Sequence, residues 1–200
     1  QQQDCREANA TMRTSLEQIK WRDWIEQGTP VPTPETPLYL DATGLFEGTR
    51  YTPKGVYRPQ QNCKMRDLGA DYCSVCTEQF VRSIWTADNI QMIESSLPAE
   101  RTVSSGSCDA IELSVTSPPI APSTYRYTWT VDGKPQPETT RQISLLPGAL
   151  LQGEHDVTVR VEDATTMVRT DLDNVLKDQV SWTVSVTKGD CPAPVGGNGA

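Results

Sequence analysis

The sequence predicts an α+β chain in two parts: a loop-rich first part with short helices, then an all-β second part. Three observations carry that reading. Before about residue 96, apolar residues are sparse and aromatics cluster in turns rich in Gly and Pro. After residue 107, Val, Thr and Ser alternate with apolar residues in short runs. Between Cys76 and Trp85 one stretch carries a helical pattern instead, with Val75, Phe80 and Ile84 as its apolar stripe. The divisions expected are residues 1–96, residues 97–190 and a Pro/Gly-rich mobile tail over residues 191–200.

Taken in order, residues 15–25 read as a short helix, although Leu16, Ile19, Trp24 and Ile25 supply only partial helical spacing. The Thr29-to-Pro34 stretch cannot continue it, because Pro30, Pro32 and Pro34 impose an extended, polyproline-like strip. Short strands or loops follow around Leu38–Leu40 and Tyr51–Tyr57. The helix comes next, and residues 88–96 read as a second helical turn or a poor helix. Residues 95–107 read as a linker. Strands are then expected at residues 110–116, 125–131, 141–145, 155–161 and 180–186, with Asp132-Gly133 as a hairpin turn and Gly153 as a break. Five or more short strands at this spacing describe a small β-sandwich of immunoglobulin or fibronectin type, with Trp129 and Trp182 in its core.

Bulk properties exclude some functions. A net charge of −8 argues against nucleic acid and against an anionic membrane surface. No apolar run reaches the roughly 20 residues that cross a bilayer. The N-terminal residues have neither the basic start nor the apolar stretch of a signal peptide, so the chain reads as a mature or processed product.

The six cysteines are Cys5, Cys63, Cys73, Cys76, Cys108 and Cys191. An even number in a loop-rich chain favours disulfides and an oxidising compartment. Cys108 and Cys191 bracket the second part and are expected to pair with each other. Cys73-x-x-Cys76 has two other readings. Redox chemistry of the thioredoxin kind needs a βαβ context that the pattern lacks. A structural zinc site would add Cys5 and Cys63 to the pair. Asn9-Ala10-Thr11 matches a glycosylation triplet, which is frequent by chance. Glu162, Asp163, Asp171 and Asp173 offer oxygen ligands for calcium if they gather at one end of the sandwich.

The order of motifs in the first part is the most specific signal. Gly48-x-x-Tyr51, Gly55-Val56-Tyr57-Arg58-Pro59, Cys63-x-Met65 and Tyr72-Cys73-Ser74-Val75-Cys76 follow one another within thirty residues. Upstream stand Asn9-Ala10-Thr11, Ile19-Lys20-Trp21 and Gly28 to Pro34. Together, over roughly residues 9–86, they resemble the IgA-peptidase-like family of secreted zinc metallopeptidases. The resemblance implies the C-terminal subdomain of a metzincin-like peptidase, followed here by the β-sandwich as an accessory domain. It implies Met65 as the methionine turn beneath the metal. Tyr51 and Tyr57 become candidate oxyanion or cleft residues, and Glu47 and Arg58 candidate cleft residues.

The family's zinc motif, H-E-x-x-H, places two histidines on one helix face. This chain has a single histidine, His155, followed by Asp156. The resemblance therefore implies zinc in a parent enzyme whose ligands lie outside this chain, in an upstream histidine-bearing portion or a separate chain. By itself the chain is expected not to hydrolyse peptides. A protein or glycoprotein is the expected substrate. The expected location is extracellular, on a bacterial cell surface or in the periplasm. A second reading is a non-catalytic adhesion or structural module derived from such a peptidase, pairing with a partner through a sandwich edge strand.

Overall fold

The computed structural model describes residues 3–88, 90–95, 97–104 and 110–187. It divides into two compact units. The first is Gln1–Ala87 with Thr165–Asp173, and the second is Asp88–Ala164 with Asn174–Ala200. The division thus falls ahead of the residue 96/97 boundary read from composition, and a short return segment joins the first unit.

In the first unit the expected helix over residues 15–25 is two single 3-10 turns, Leu16–Gln18 and Arg22–Trp24. The partial periodicity explains this, because Ile19 and Trp21 are both buried and a continuous helix would not point both inward. A third such turn, Pro37–Tyr39, replaces the strand considered near Leu38. Strand β1 (Phe46–Thr49) and strand β2 (Thr52–Arg58) form an antiparallel hairpin. Helix α1 spans Ser74–Trp85, with Cys73 at its N-cap in an extended conformation. Of its expected apolar stripe only Val75 is buried, next to Cys76, while Phe80 and Ile84 are exposed.

The core of this unit gathers Ile19, Trp21, Leu45, Cys63, Cys73, Val75 and Cys76, with Trp24, Ile25, Val31 and Tyr57 packed on it. Trp21 donates its indole N–H to the Gly44 carbonyl at 2.7 Å. Gly44 must be glycine, because a Cβ there would collide with the Thr33 side chain. Thr33 is held there by two bonds to Leu45, one accepted from its amide by the hydroxyl and one donated to its carbonyl. The proline-rich strip is thereby laced to the entry of β1.

In the second unit, strand β3 (Glu100–Ser104) lies inside the stretch expected to be a linker. It pairs in parallel with the last strand, an edge position that few apolar residues would advertise. Strands β4 (Ile111–Ser114), β5 (Tyr125–Val131), β6 (Lys134–Pro135), β7 (Gln142–Leu145), β8 (Gly153–Asp163) and β9 (Lys177–Thr187) follow. They form a five-stranded sheet in the order β3-β9-β8-β5-β6 and a two-stranded sheet β4-β7. Asp132 and Gly133 both have positive φ, as a two-residue hairpin turn between β5 and β6 requires. Residues 88 and 90–95 contain no helical turn; Glu94 instead bridges Thr116.

Alternation along the strands sets the core. Val157, Val159 and Val161 on β8, Trp129 and Val131 on β5, and Trp182, Val184 and Val186 on β9 are buried, as are Leu113 on β4 and Ile143 on β7. Trp129 and Trp182 stack with ring centres 5.7 Å apart and planes 12° from parallel. The Trp129 indole N–H reaches across to the Thr140 carbonyl, 2.8 Å away, just before β7. The Trp182 indole N–H is buried without a partner among the described residues.

His155 is buried on β8. Its Nδ1 faces Asp132 Oδ2 at 2.8 Å and its Nε2 faces the Leu151 carbonyl at 2.7 Å. Two acceptors on two ring nitrogens favour the protonated ring. Its pKa is raised, first by the Leu151 carbonyl and then by Asp132, and that of Asp132 is lowered, first by His155.

Two measurements check this unit. Trp129→Phe loses a satisfied hydrogen bond whereas Trp182→Phe removes an orphan donor, so the first should cost about 1 kcal/mol more in urea unfolding. Equal costs would contradict the bonding described. A raised folded-state pKa makes the His155 contribution complete below its unfolded value and lost as pH rises through its folded value. The stability gap between the protein and His155→Asn should therefore be wider at about pH 5.5 than at about pH 8.5. A gap independent of pH would show that folding does not raise the pKa of His155.

Candidate functional site: the hairpin cleft and a cysteine cluster

The β1–β2 hairpin is distorted where the sequence motifs lie. Its register slips between Glu47 and Thr49, at Gly48, which has φ +91°. A Cβ on Gly48 would lie 3.3 Å from the Pro53 carbonyl, so both backbone angle and space favour glycine. Arg50 and Tyr51 form the turn, both with positive φ, and Tyr51 projects fully into solvent.

Arg58 ends β2 and is buried. Its guanidinium donates to the carbonyls of Glu47 and Gly48 and pairs with the Glu35 carboxylate. Its Nε is buried without a partner among the described residues. Glu47 accepts the Gly55 amide at 2.9 Å, so its carboxylate braces the hairpin while remaining exposed.

After the hairpin the chain folds into a tight turn at Cys63. The Cys63 carbonyl accepts the amides of Arg66 at 2.7 Å and Asp67 at 2.9 Å. Lys64 donates its amide to the Asp71 carbonyl at 2.8 Å. Met65 sits on this turn and is 64 % exposed. Tyr51, Glu47, Arg58, Met65 and Arg66 line one open cleft of about 710 Å³. Tyr57 does not join them. It packs on the core, exchanges two backbone hydrogen bonds with Thr11, and lines a separate cleft with Glu47, Thr33 and Glu35.

The four described cysteines are free thiols, and all are buried. This departs from the disulfides expected for Cys5, Cys63, Cys73 and Cys76; Cys108 and Cys191 lie outside the described residues. Cys63, Cys73 and Cys76 bring their sulfurs within 4.8 Å of one another. Cys5 is not in that cluster, which corrects the four-cysteine grouping; its sulfur accepts from Arg50 at 3.6 Å. Asn9 donates its side-chain amide to Cys76 Sγ at 3.2 Å, so the glycosylation triplet is built into the fold, with Ala10 and Thr11 buried. Spacing alone did not reveal Asn9, which is remote in sequence from the cysteine it serves.

The residues present do not fit the catalytic zinc of the resembled family. His155 lies in the second unit and both its ring nitrogens are engaged within that unit. The calcium grouping is also corrected. Asp171 and Asp173 pair with Arg82, while Asp163 is buried and accepts from Thr124. Among the described residues no acidic trio comes within ligand reach.

Comparison with known proteins adds the following. No curated protein matches the chain. Among the solved structures that resemble part of it are the following three. Fibronectin(III)-like modules of Clostridium thermocellum CbhA share 15% identity over 50% of this chain and 100% of theirs, at a TM-score of 0.34. A quinonprotein alcohol dehydrogenase-like protein of Bacteroides thetaiotaomicron shares 16% over 50% of this chain and 20% of its own, at 0.35. The Bacteroides ovatus mixed-linkage glucan utilization locus SGBP-B, solved with a mixed-linkage heptasaccharide, shares 14% over 49% and 24%, at 0.33. No helix among the described residues is long and apolar enough to cross a membrane. Residues 38–84, which contain the bulged hairpin, the Met65 turn and nearly all of α1, match the family IgA Peptidase M64.

Proposed function

We propose that this chain is the C-terminal section of a secreted zinc-dependent endopeptidase, and that its second unit is an immunoglobulin-like or fibronectin-like accessory sandwich. The observation that carries the reading is the shared cleft of Tyr51, Glu47, Arg58 and Met65 inside the segment that matches the peptidase family. Motif residues far apart in a loop-rich stretch converge on one surface, as a substrate cleft requires.

The distribution of apolar surface supports the same reading. Among the described residues, every exposed large apolar side chain except Leu146 and Leu151 belongs to the first unit. Leu38, Leu40, Met65, Leu68, Phe80 and Ile84 are among them. Surface of this kind suits a face that another protein segment covers. The proposed partner is the histidine-bearing portion of the same peptidase, in one chain or as a second one. The zinc ligands would come from that portion, since they do not come from this one.

This chain's own residues have definite tasks in such an assembly. Met65, exposed on a turn fixed by the Cys63 carbonyl, would supply an apolar floor. The Tyr51 hydroxyl, on a turn held by its positive-φ pair, would donate to developing negative charge on the scissile carbonyl oxygen. Arg58 holds the hairpin and positions Tyr51 without touching substrate. A protein or glycoprotein chain would lie along the cleft.

Two experiments test this. The protein isolated from its native source should contain an H-E-x-x-H segment, in the same polypeptide or in a tightly bound second one, and should cleave a casein substrate. A lone chain of this sequence, without peptidase activity, would leave the non-catalytic module standing. In the active assembly, Tyr51→Phe should lower kcat by about 10²-fold with little change in KM. An unchanged kcat would remove Tyr51 from the chemistry.

A further inference from the structure

We propose that Cys63, Cys73 and Cys76 form a three-thiolate site for a soft d10 cation, for which Zn²⁺ is the reference ion, at the N-terminal end of α1. The proposal does not depend on the peptidase reading, although the three cysteines lie in the segment that matches that family.

The spacing of the sulfurs is the first argument. A disulfide brings two sulfurs to about 2.05 Å. Thiolates about 2.3 Å from a tetrahedral zinc stand roughly 3.8 Å from each other. Cys63 Sγ and Cys76 Sγ are 3.6 Å apart, and all three sulfurs lie within 4.8 Å of one another. The number is the second argument. One disulfide among three sulfurs leaves the third buried and unused, and Cys5 is not in the cluster. A single cation engages all three and leaves one position for water or an added ligand.

Hydrogen-bond donors face two of the three sulfurs. Asn9 donates to Cys76 Sγ at 3.2 Å, and the Cys73 backbone amide donates to Cys63 Sγ at 3.3 Å. Donors aimed at sulfur are what metal-bound thiolates accept from their surroundings. Cys73 caps α1 and Cys76 lies in its first turn, where unpaired amides and the helix dipole favour negative charge. The three residues are also part of the first unit's core, so a cation here would pin the Met65 turn to α1. Binding would release the remaining thiol protons and involve no change of oxidation state.

The test uses the full chain, reduced and handled without oxygen. After incubation with ZnCl₂ and gel filtration, it should retain one equivalent of zinc and show a higher Tm. Co²⁺ in its place should give the intense near-ultraviolet absorption of thiolate coordination. Cys73→Ser and Cys76→Ser should abolish retention. Asn9→Ala should weaken affinity by about 10–100-fold. Cys5→Ser and the double variant Cys108→Ser/Cys191→Ser should leave stoichiometry and spectrum unchanged. If the serine variants of the cluster do not fold, the Co²⁺ spectrum of the parent chain decides by itself. A reduced, folded chain that binds neither metal would overturn the proposal, as would loss of the site in Cys5→Ser.

Discussion

The first unit depends on one buried guanidinium. Arg58 collects two backbone carbonyls from the opposite strand of its own hairpin and a carboxylate from the proline-rich strip. The two carbonyls belong to Glu47 and Gly48, where the strand register slips and the ladder leaves acceptors without their regular partners. A bulge buried without compensation would be costly, because unpaired backbone groups in a protein interior forfeit their bonds to water. Arg58 makes the bulge tolerable. The bulge in turn sets where the Arg50-Tyr51 turn projects and which side of the hairpin faces Met65. A planar fork of donors serves three acceptors at once, which an ammonium on a flexible stem does less well.

Around that hairpin the unit is held by a small core and by local polar clamps rather than by long regular elements. Lys20 shows the pattern: its ammonium donates to the carbonyls of Cys5, Glu7 and Ala10 and pairs with Asp4, closing a loop that has no ladder of its own. Asp4 reciprocates by accepting the Met12 amide and the Thr11 hydroxyl. Such clamps place residues accurately while leaving apolar side chains outward. Residues 38–84, which match a peptidase family, lie within this clamped unit.

The second unit is built on the opposite plan. Its strands alternate buried and exposed residues, its two buried tryptophans stack, and the buried His155, Asp163 and Trp129 indole find partners while the Trp182 indole N–H does not. Regular ladders satisfy the backbone, so few side chains are needed for that purpose. Its stability therefore comes from its own interior.

The sequence by itself determined strands β4, β5, β7, β8 and β9, the Asp132-Gly133 hairpin and helix α1, because each is a local pattern of period, turn chemistry or breaker residues. The motif order around Gly48, Tyr57 and Cys63 also marked the segment that matches the peptidase family. Only the tertiary structure decided the rest. Strand β3 pairs with a partner some eighty residues away, so its own composition reads as linker. Residues 15–25 break into 3-10 turns because the core claims both Ile19 and Trp21. Tyr51 and Tyr57 look alike in sequence, yet one crowns a turn and the other is pinned to the core through Thr11. The three-sulfur cluster excludes Cys5 and includes the amide of Asn9 for the same reason: distance in space, unlike periodicity, leaves no local trace in a chain.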